Sequence, residues 1–157
     1  MSLGPSLSTK TARASNDYPT WIYAPSISLF SPVQGMGLTK NGELDVPSGL
    51  TNNVGWYKNG VVPGSTGTAV LDAHVFAAFK NLNQIQAGGH IYLLMASGKF
   101  LDYVVTASNL YPIKNLSPYT LFTPTASKQL NLITCAGKYI SSVGTYDHRL
   151  IVSAKLV

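Results

Sequence analysis

Cysteine is nearly absent from this chain: Cys135 is the only one. A lone thiol excludes an intramolecular disulfide and any zinc site that needs two or more cysteines. Charge is scarce as well, since only 11% of residues are charged, with six acids against eleven bases. Glu43, Asp45, Asp72, Asp102 and Asp147 stand in unrelated contexts, so neither a carboxylate pair nor a metal site is expected. The net charge is +5, yet the lysines are scattered from Lys10 to Lys155 without a basic run. That pattern argues against nucleic acid as a partner. It suits a surface near anionic polymers or lipid head groups, and equally an unselected one. No apolar run approaches the roughly 18 residues of a membrane span, and no signal peptide is recognisable.

What remains is a β-rich composition. The 157 residues suffice for one domain with a single core. An apolar share of 45%, with 14 glycines, nine prolines and nine tyrosines, favours short strands and many turns over a helical bundle. Residues 1–18, rich in Ser, Thr and Ala, are expected to be a flexible tail, and Met1-Ser2-Leu3-Gly4-Pro5 fits an expression scar. Residues 19–157 are expected to form the folded domain.

From Trp21 onward, short apolar segments alternate with turn residues. Asn41-Gly42 predicts a type I′ turn, in which both residues take positive φ. Pro47-Ser48-Gly49 and Pro63-Gly64 mark further turns, and Thr68-Ala69-Val70-Leu71 is a strand that leads to His74. Val75, Phe79, Leu82 and Ile85 recur at helical spacing, predicting a helix that Gly88-Gly89 ends. Residues 91–95 and 100–107 read as a hairpin through Ala96-Ser97-Gly98-Lys99, with Leu101, Tyr103 and Val105 on one face. Residues 109–127 read as a long loop holding about one helical turn. Two strands follow, one carrying Cys135 and one opening at Arg149. Eight strands or so, with one or two short helices, predict an all-β fold closed into a barrel, because closure removes exposed edges.

Three chemical groups stand at strand ends. The apolar run Leu130-Asn131-Leu132-Ile133-Thr134 delivers Cys135 at its tip, a common way to present a nucleophile. A free thiol is mostly protonated at neutral pH and needs a neighbouring base or cation. His74 could act as general base and acid, and Arg149, always charged, could hold an oxyanion. Each has a plainer reading too: a buried small hydrophobe, a satisfied core histidine, a solvated strand-end charge. His90 and His148 compete for the role of base.

These residues resemble the sortases, bacterial cysteine transpeptidases. Leu132-Ile133-Thr134-Cys135 is similar to their TLxTC signature, with Asn131 in place of its first threonine. Arg149-Leu150-Ile151-Val152 looks like their arginine-led final strand. Val70-Leu71-Asp72-Ala73-His74 looks like their histidine motif, with Ala73 where glycine is common. Gly42-Glu43-Leu44-Asp45-Val46-Pro47, Val54-Gly55-Trp56-Tyr57 and Pro63-Gly64 resemble the N-terminal half of classes E and F. Ile91-Tyr92-Leu93 resembles the segment after the histidine, with Gly89 where an aspartate is frequent. The likeness runs from about residue 27 to 157. Thirteen residues between Cys135 and Arg149 leave no room for the long class B insertion, and no aromatic Asp-Pro lid motif precedes the domain.

The resemblance implies an eight-stranded barrel, with residues 19–157 as the catalytic domain. It implies Cys135 as nucleophile, His74 as general acid/base, Arg149 as holder of substrate and oxyanion, and Thr134 as an aid in positioning the substrate carbonyl. No metal and no cofactor is implied. Family members cut an LPxTG-like signal after threonine, hold the acyl group as a thioester and pass it to an amine, typically of a peptidoglycan precursor. The implied place is the outer face of the bacterial cell membrane, reached through a native anchor absent from this chain. Alternatives are a sortase-like pilin polymerase or hydrolase, or a non-catalytic wall-binding barrel.

Overall fold

A computed structural model describes residues 16–157. The tail expected over 1–18 therefore lies largely outside the described residues. Of its last three, Asp17 accepts from the backbone N–H and the hydroxyl of Ser97, and the Tyr18 carbonyl accepts from Ala96 N–H.

Eight strands close into one barrel: β1 (Pro19–Ala24), β2 (Leu29–Met36), β3 (Val54–Tyr57), β4 (Gly67–Asp72), β5 (His90–Met95), β6 (Phe100–Pro112), β7 (Lys128–Ile140) and β8 (Thr145–Leu156). Their order around the barrel is β1-β2-β3-β4-β7-β8-β6-β5. Two pairings are parallel, β2 with β3 and β4 with β7; the others are antiparallel. Alternation along each strand sends Ile22, Leu71, Ile91, Leu93, Leu132 and Val152 into a sealed interior. Tyr103 is fully buried there, and its hydroxyl accepts from Gly64 N–H at 2.8 Å. Tyr103 and Val105 share a face, as the hairpin pattern predicts, and that face is core. No helix among the described residues is long and apolar enough to cross a membrane.

Three local expectations differ from the structure. The segment after His74 is not an α-helix but a run of tight turns ending in a 3₁₀ turn, Leu82–Gln84. Most of its bonds reach three residues back, as in Lys80 N–H to Ala77 O and Ile85 N–H to Leu82 O, and Phe79 N–H reaches five back to His74 O. Asn81 and Asn83 compete with the backbone and do not favour a helix. The apolar spacing still serves burial: Phe79, Leu82 and Ile85 are all core. At Asn41-Gly42, only Gly42 has positive φ, 81°. Thr39 and Gly42 close a turn that ends in a glycine bulge, with Thr39 N–H bonded to Glu43 O. Finally, β6 continues to Pro112 inside the expected loop, because pairing with β8 rather than apolar alternation supports Ser108 and Asn109.

A second, smaller apolar cluster lies outside the barrel. Val70, Ile133 and Ile151 project from the outer face of β4, β7 and β8 against Leu121. Leu121 belongs to the one-turn helix α1 (Pro118–Leu121), whose first residue is proline and whose cap is Ser117, accepting from Thr120 N–H. Two buried side chains pin this segment: Asn131 Nδ2 donates to Leu121 O at 2.7 Å, and Thr68 donates to Thr123 O at 2.7 Å. Asn131, the departure from TLxTC, thus fastens α1 to the strand that carries Cys135.

Candidate active site

The parallel register of β4 and β7 sets Asp72 opposite Ile133. Two residues further along the chain stand His74, just past the end of β4, and Cys135, still within β7. The antiparallel register of β7 and β8 sets Cys135 opposite Arg149. Because side chains alternate, Ile133, Cys135, Arg149 and Ile151 share the barrel's outer face. Over that face runs a groove of about 490 Å³, lined by His74, Cys135 and Arg149. Leu44 and Val46 form one wall, and Leu116 and α1 form the other. All three expected site residues are therefore brought to one cavity, each half-buried.

Each side chain is held in a way that leaves chemistry available. His74 Nε2 lies 2.9 Å from Pro47 O, and its ring stacks on Phe76 with centroids 4.6 Å apart. A carbonyl only accepts, so Nε2 carries a proton, while no hydrogen bond engages Nδ1 among the described residues. Arg149 Nη1 donates to Tyr146 O and His148 O at 3.1 and 2.9 Å, and Nη2 donates to Thr145 Oγ1 at 3.1 Å. Three of five guanidinium donors are thereby spent, leaving Nε–H and one Nη2–H unspent. Among the described residues no carboxylate pairs with Arg149, so its charge is not neutralised by an ion partner. Cys135 is the free thiol between them.

Thr134, expected at the substrate carbonyl, is buried, and its hydroxyl donates to Ala73 O at 2.7 Å. It ties the strand of Cys135 to the residue beside His74. Thr134→Val keeps the shape and orphans that carbonyl, at a cost of about 1–3 kcal/mol. A chemical-denaturation midpoint below that of the parent protein, with reduced turnover, is the expected result.

Beyond Cys135 a bulge interrupts the β7–β8 ladder between Ala136 and Tyr139. Gly137 sits there with φ 79°, and an added Cβ would collide with the Asp147 carboxylate and the His148 ring. Asp147 Oδ1 accepts from His148 Nδ1 at 2.7 Å and from Lys138 N–H at 2.8 Å. Those hydrogen bonds, the His148 one first, hold its carboxyl below the usual carboxylate range. His148 is thus committed to Asp147. His90 pairs with Asp102 at 2.7 Å. His74 is the histidine that lines the groove.

Sequence reasoning passed over one groove residue, Asp72. Burial, and next to it the charge of Asp45, push its carboxyl up to about 8. The available signal was its position, two residues before His74 at the end of β4. An acid whose native pKa is raised above 3.8 binds an extra proton in the folded state. Stability is therefore greatest below about pH 4 as regards this group, and it is lost as pH rises towards 8. Asp72→Asn should flatten that decline, with melting temperatures well above those of the parent at pH 9 and a much smaller gain at pH 5. Parallel melting curves at the two pH values would refute this assignment of the buried proton.

Comparison with known proteins follows this geometry. A family model described as Sortase domain matches residues 22–157. Sortase D of Bacillus subtilis (strain 168) is 29% identical over 122 residues, which span 74% of this chain and 59% of that protein. Sortase A from Corynebacterium diphtheriae superposes with a TM-score of 0.67 at 25% identity, covering 89% of this chain and 60% of that one. A crystal structure of Streptococcus agalactiae sortase C1 gives 0.66 at 23%, covering 88% and 66%. This chain spans about 60% of the length of the first two relatives.

Proposed function

This chain belongs to the sortase family, and from that premise we propose that it is a cysteine transpeptidase acting on an LPxTG-like sorting signal of secreted proteins. The observation that carries the reading is the convergence, on one groove, of the chain's single thiol, a histidine with a free ring nitrogen and an unneutralised guanidinium.

In the proposed course, His74 Nδ1 accepts the thiol proton and Cys135 Sγ bonds to the threonine carbonyl carbon. The oxygen that gains the electron pair accepts from the unspent edge of Arg149. Collapse breaks the peptide C–N bond, and the proton on His74 leaves with the amine, so a thioester remains. A second amine attacks the thioester carbon and gives its proton to His74. The C–S bond breaks, an amide forms and the thiol is restored. Thr134 acts by holding the His74 strand in register.

We place the acyl acceptor among peptidoglycan-precursor amines and the enzyme at the outer face of the cell membrane, with residues 19–157 as the catalytic domain. The turn of 141–144 between β7 and β8, too short for a class B insertion, supports placement with classes E and F. Incubation with an LPxTG peptide should add the acyl fragment to Cys135, detected by mass spectrometry, and an added amine should release it as an amide. Neither adduct nor product at any peptide concentration would overturn the reading.

A further inference from the structure

We infer that Asp72 determines specificity in the groove, selecting sorting peptides with a basic side chain at the variable position x of the LPxTG-like signal. The inference rests on the peptide reading of the groove given above. Its own basis is the floor. Row by row across the sheet, Gly55 on β3 faces Asp72 on β4, and Asp72 faces Ile133 on β7. Around this point the floor and walls are apolar: Val70, Ile133, Leu116, Leu121 and Phe122. A carboxyl interrupts them. It fits because Gly55 lacks a side chain, since a Cβ there would stand 2.6 Å from Asp72 Oδ1. Among the described residues, no hydrogen bond beyond that of its own backbone N–H satisfies the carboxyl.

The charged and titratable groups facing it are known. Asp45 approaches from the segment before Pro47, Glu43 from the 39–43 turn, His74 from its own strand's end, and Arg149 and Cys135 from β8 and β7. Arg149 is held by acceptors at 145–148 and makes no ion pair with Asp72. A half-enclosed carboxyl without a partner gains most from an arriving cation, which restores the ionised form and makes a charge-assisted hydrogen bond. Glutamate at the same place would meet the charge of Asp45 and bring no cation to draw the proton from Asp72. Position x follows from the signal itself. Asp72 lies one strand across from Ile133 and one side-chain row from Cys135, so it borders the peptide within about two residues of the scissile threonine carbonyl, and x is the variable residue of that span.

The test uses peptides Leu-Pro-x-Thr-Gly with x as Lys, Gln or Glu, assayed on the parent protein and on Asp72→Asn. The parent should favour Lys over Glu by about tenfold or more in kcat/KM, expressed mainly in KM. Asp72→Asn should bring the ratio to about twofold or less, with a melting curve that shows the variant folded. Binding of the same peptides to Cys135→Ala, read by calorimetry, should give the same order without turnover. Turnover of all three peptides at equal efficiency, or a Lys preference unchanged in Asp72→Asn, overturns this inference alone. No binding and no acylation with any of them overturns the transpeptidase reading, and this inference with it.

Discussion

Cys135→Ala is expected to abolish acylation and peptide cleavage, with a loss of at least about 10⁴-fold in kcat. The chain has no second thiol to substitute, and the two hydroxyls that also line the groove are engaged, Ser117 in capping Thr120 N–H and Thr134 in donating to Ala73 O. Removing one sulfur from a half-buried surface position costs little packing, so the variant should melt close to the parent. That contrast separates chemistry from folding. A peptide-cleavage assay with the melting curve alongside is sufficient. Full retained turnover in a folded variant would remove the nucleophile from the mechanism. Cys135→Ser probes the same step more finely: its hydroxyl fits the site, but its far higher pKa leaves His74 too weak a base to activate it well.

The parts of this molecule that could be read from the sequence are those fixed by local pattern. Strand alternation in 91–95 and 100–107 announced a hairpin with Leu101, Tyr103 and Val105 on one face, and the structure has the hairpin, with that face turned to the core. The three strand-end groups were visible as residue types at the tips of apolar runs. Their meeting was not visible, because it depends on a parallel pairing between β4 and β7, and nothing in either segment encodes its partner's register. Segment 75–85 shows the opposite limit. Its spacing correctly marks Phe79, Leu82 and Ile85 as core, yet three buried side chains in a row can be supplied by successive tight turns as well as by a helix. Asp72 read as one more strand-end acid, since only the bare backbone of Gly55 beside it makes the enclosed position possible. Ala73, where relatives often have glycine, proves undemanding: it is buried, and Ser28 is the only non-glycine residue with positive φ among those described.

Arg149→Lys keeps the charge and should still lose about 10²–10³-fold in kcat, with the smaller share of the effect in KM. The reason is visible in how the guanidinium is spent. Two donors of Nη1 and one of Nη2 bind the carbonyls of Tyr146 and His148 and the hydroxyl of Thr145, so the plane of the group is set before substrate arrives. Only a rigid, planar group can be anchored on one edge and still present a second edge with two parallel N–H donors. Lysine has three donors on one rotating nitrogen. If they satisfy the anchoring carbonyls, the nitrogen sits on the wrong side of the groove; if they turn to the oxyanion, two backbone acceptors lose their partner. A transition state that develops charge on one oxygen is sensitive to that choice, whereas a bound ground-state peptide is less so, which places the loss in kcat. Arg149→Gln separates the two contributions, since it keeps a planar donor and removes the charge. If Arg149→Lys retained near-parental kcat, the anchored edge would be structural only, and the oxyanion would need other donors, such as backbone N–H groups lining the same groove.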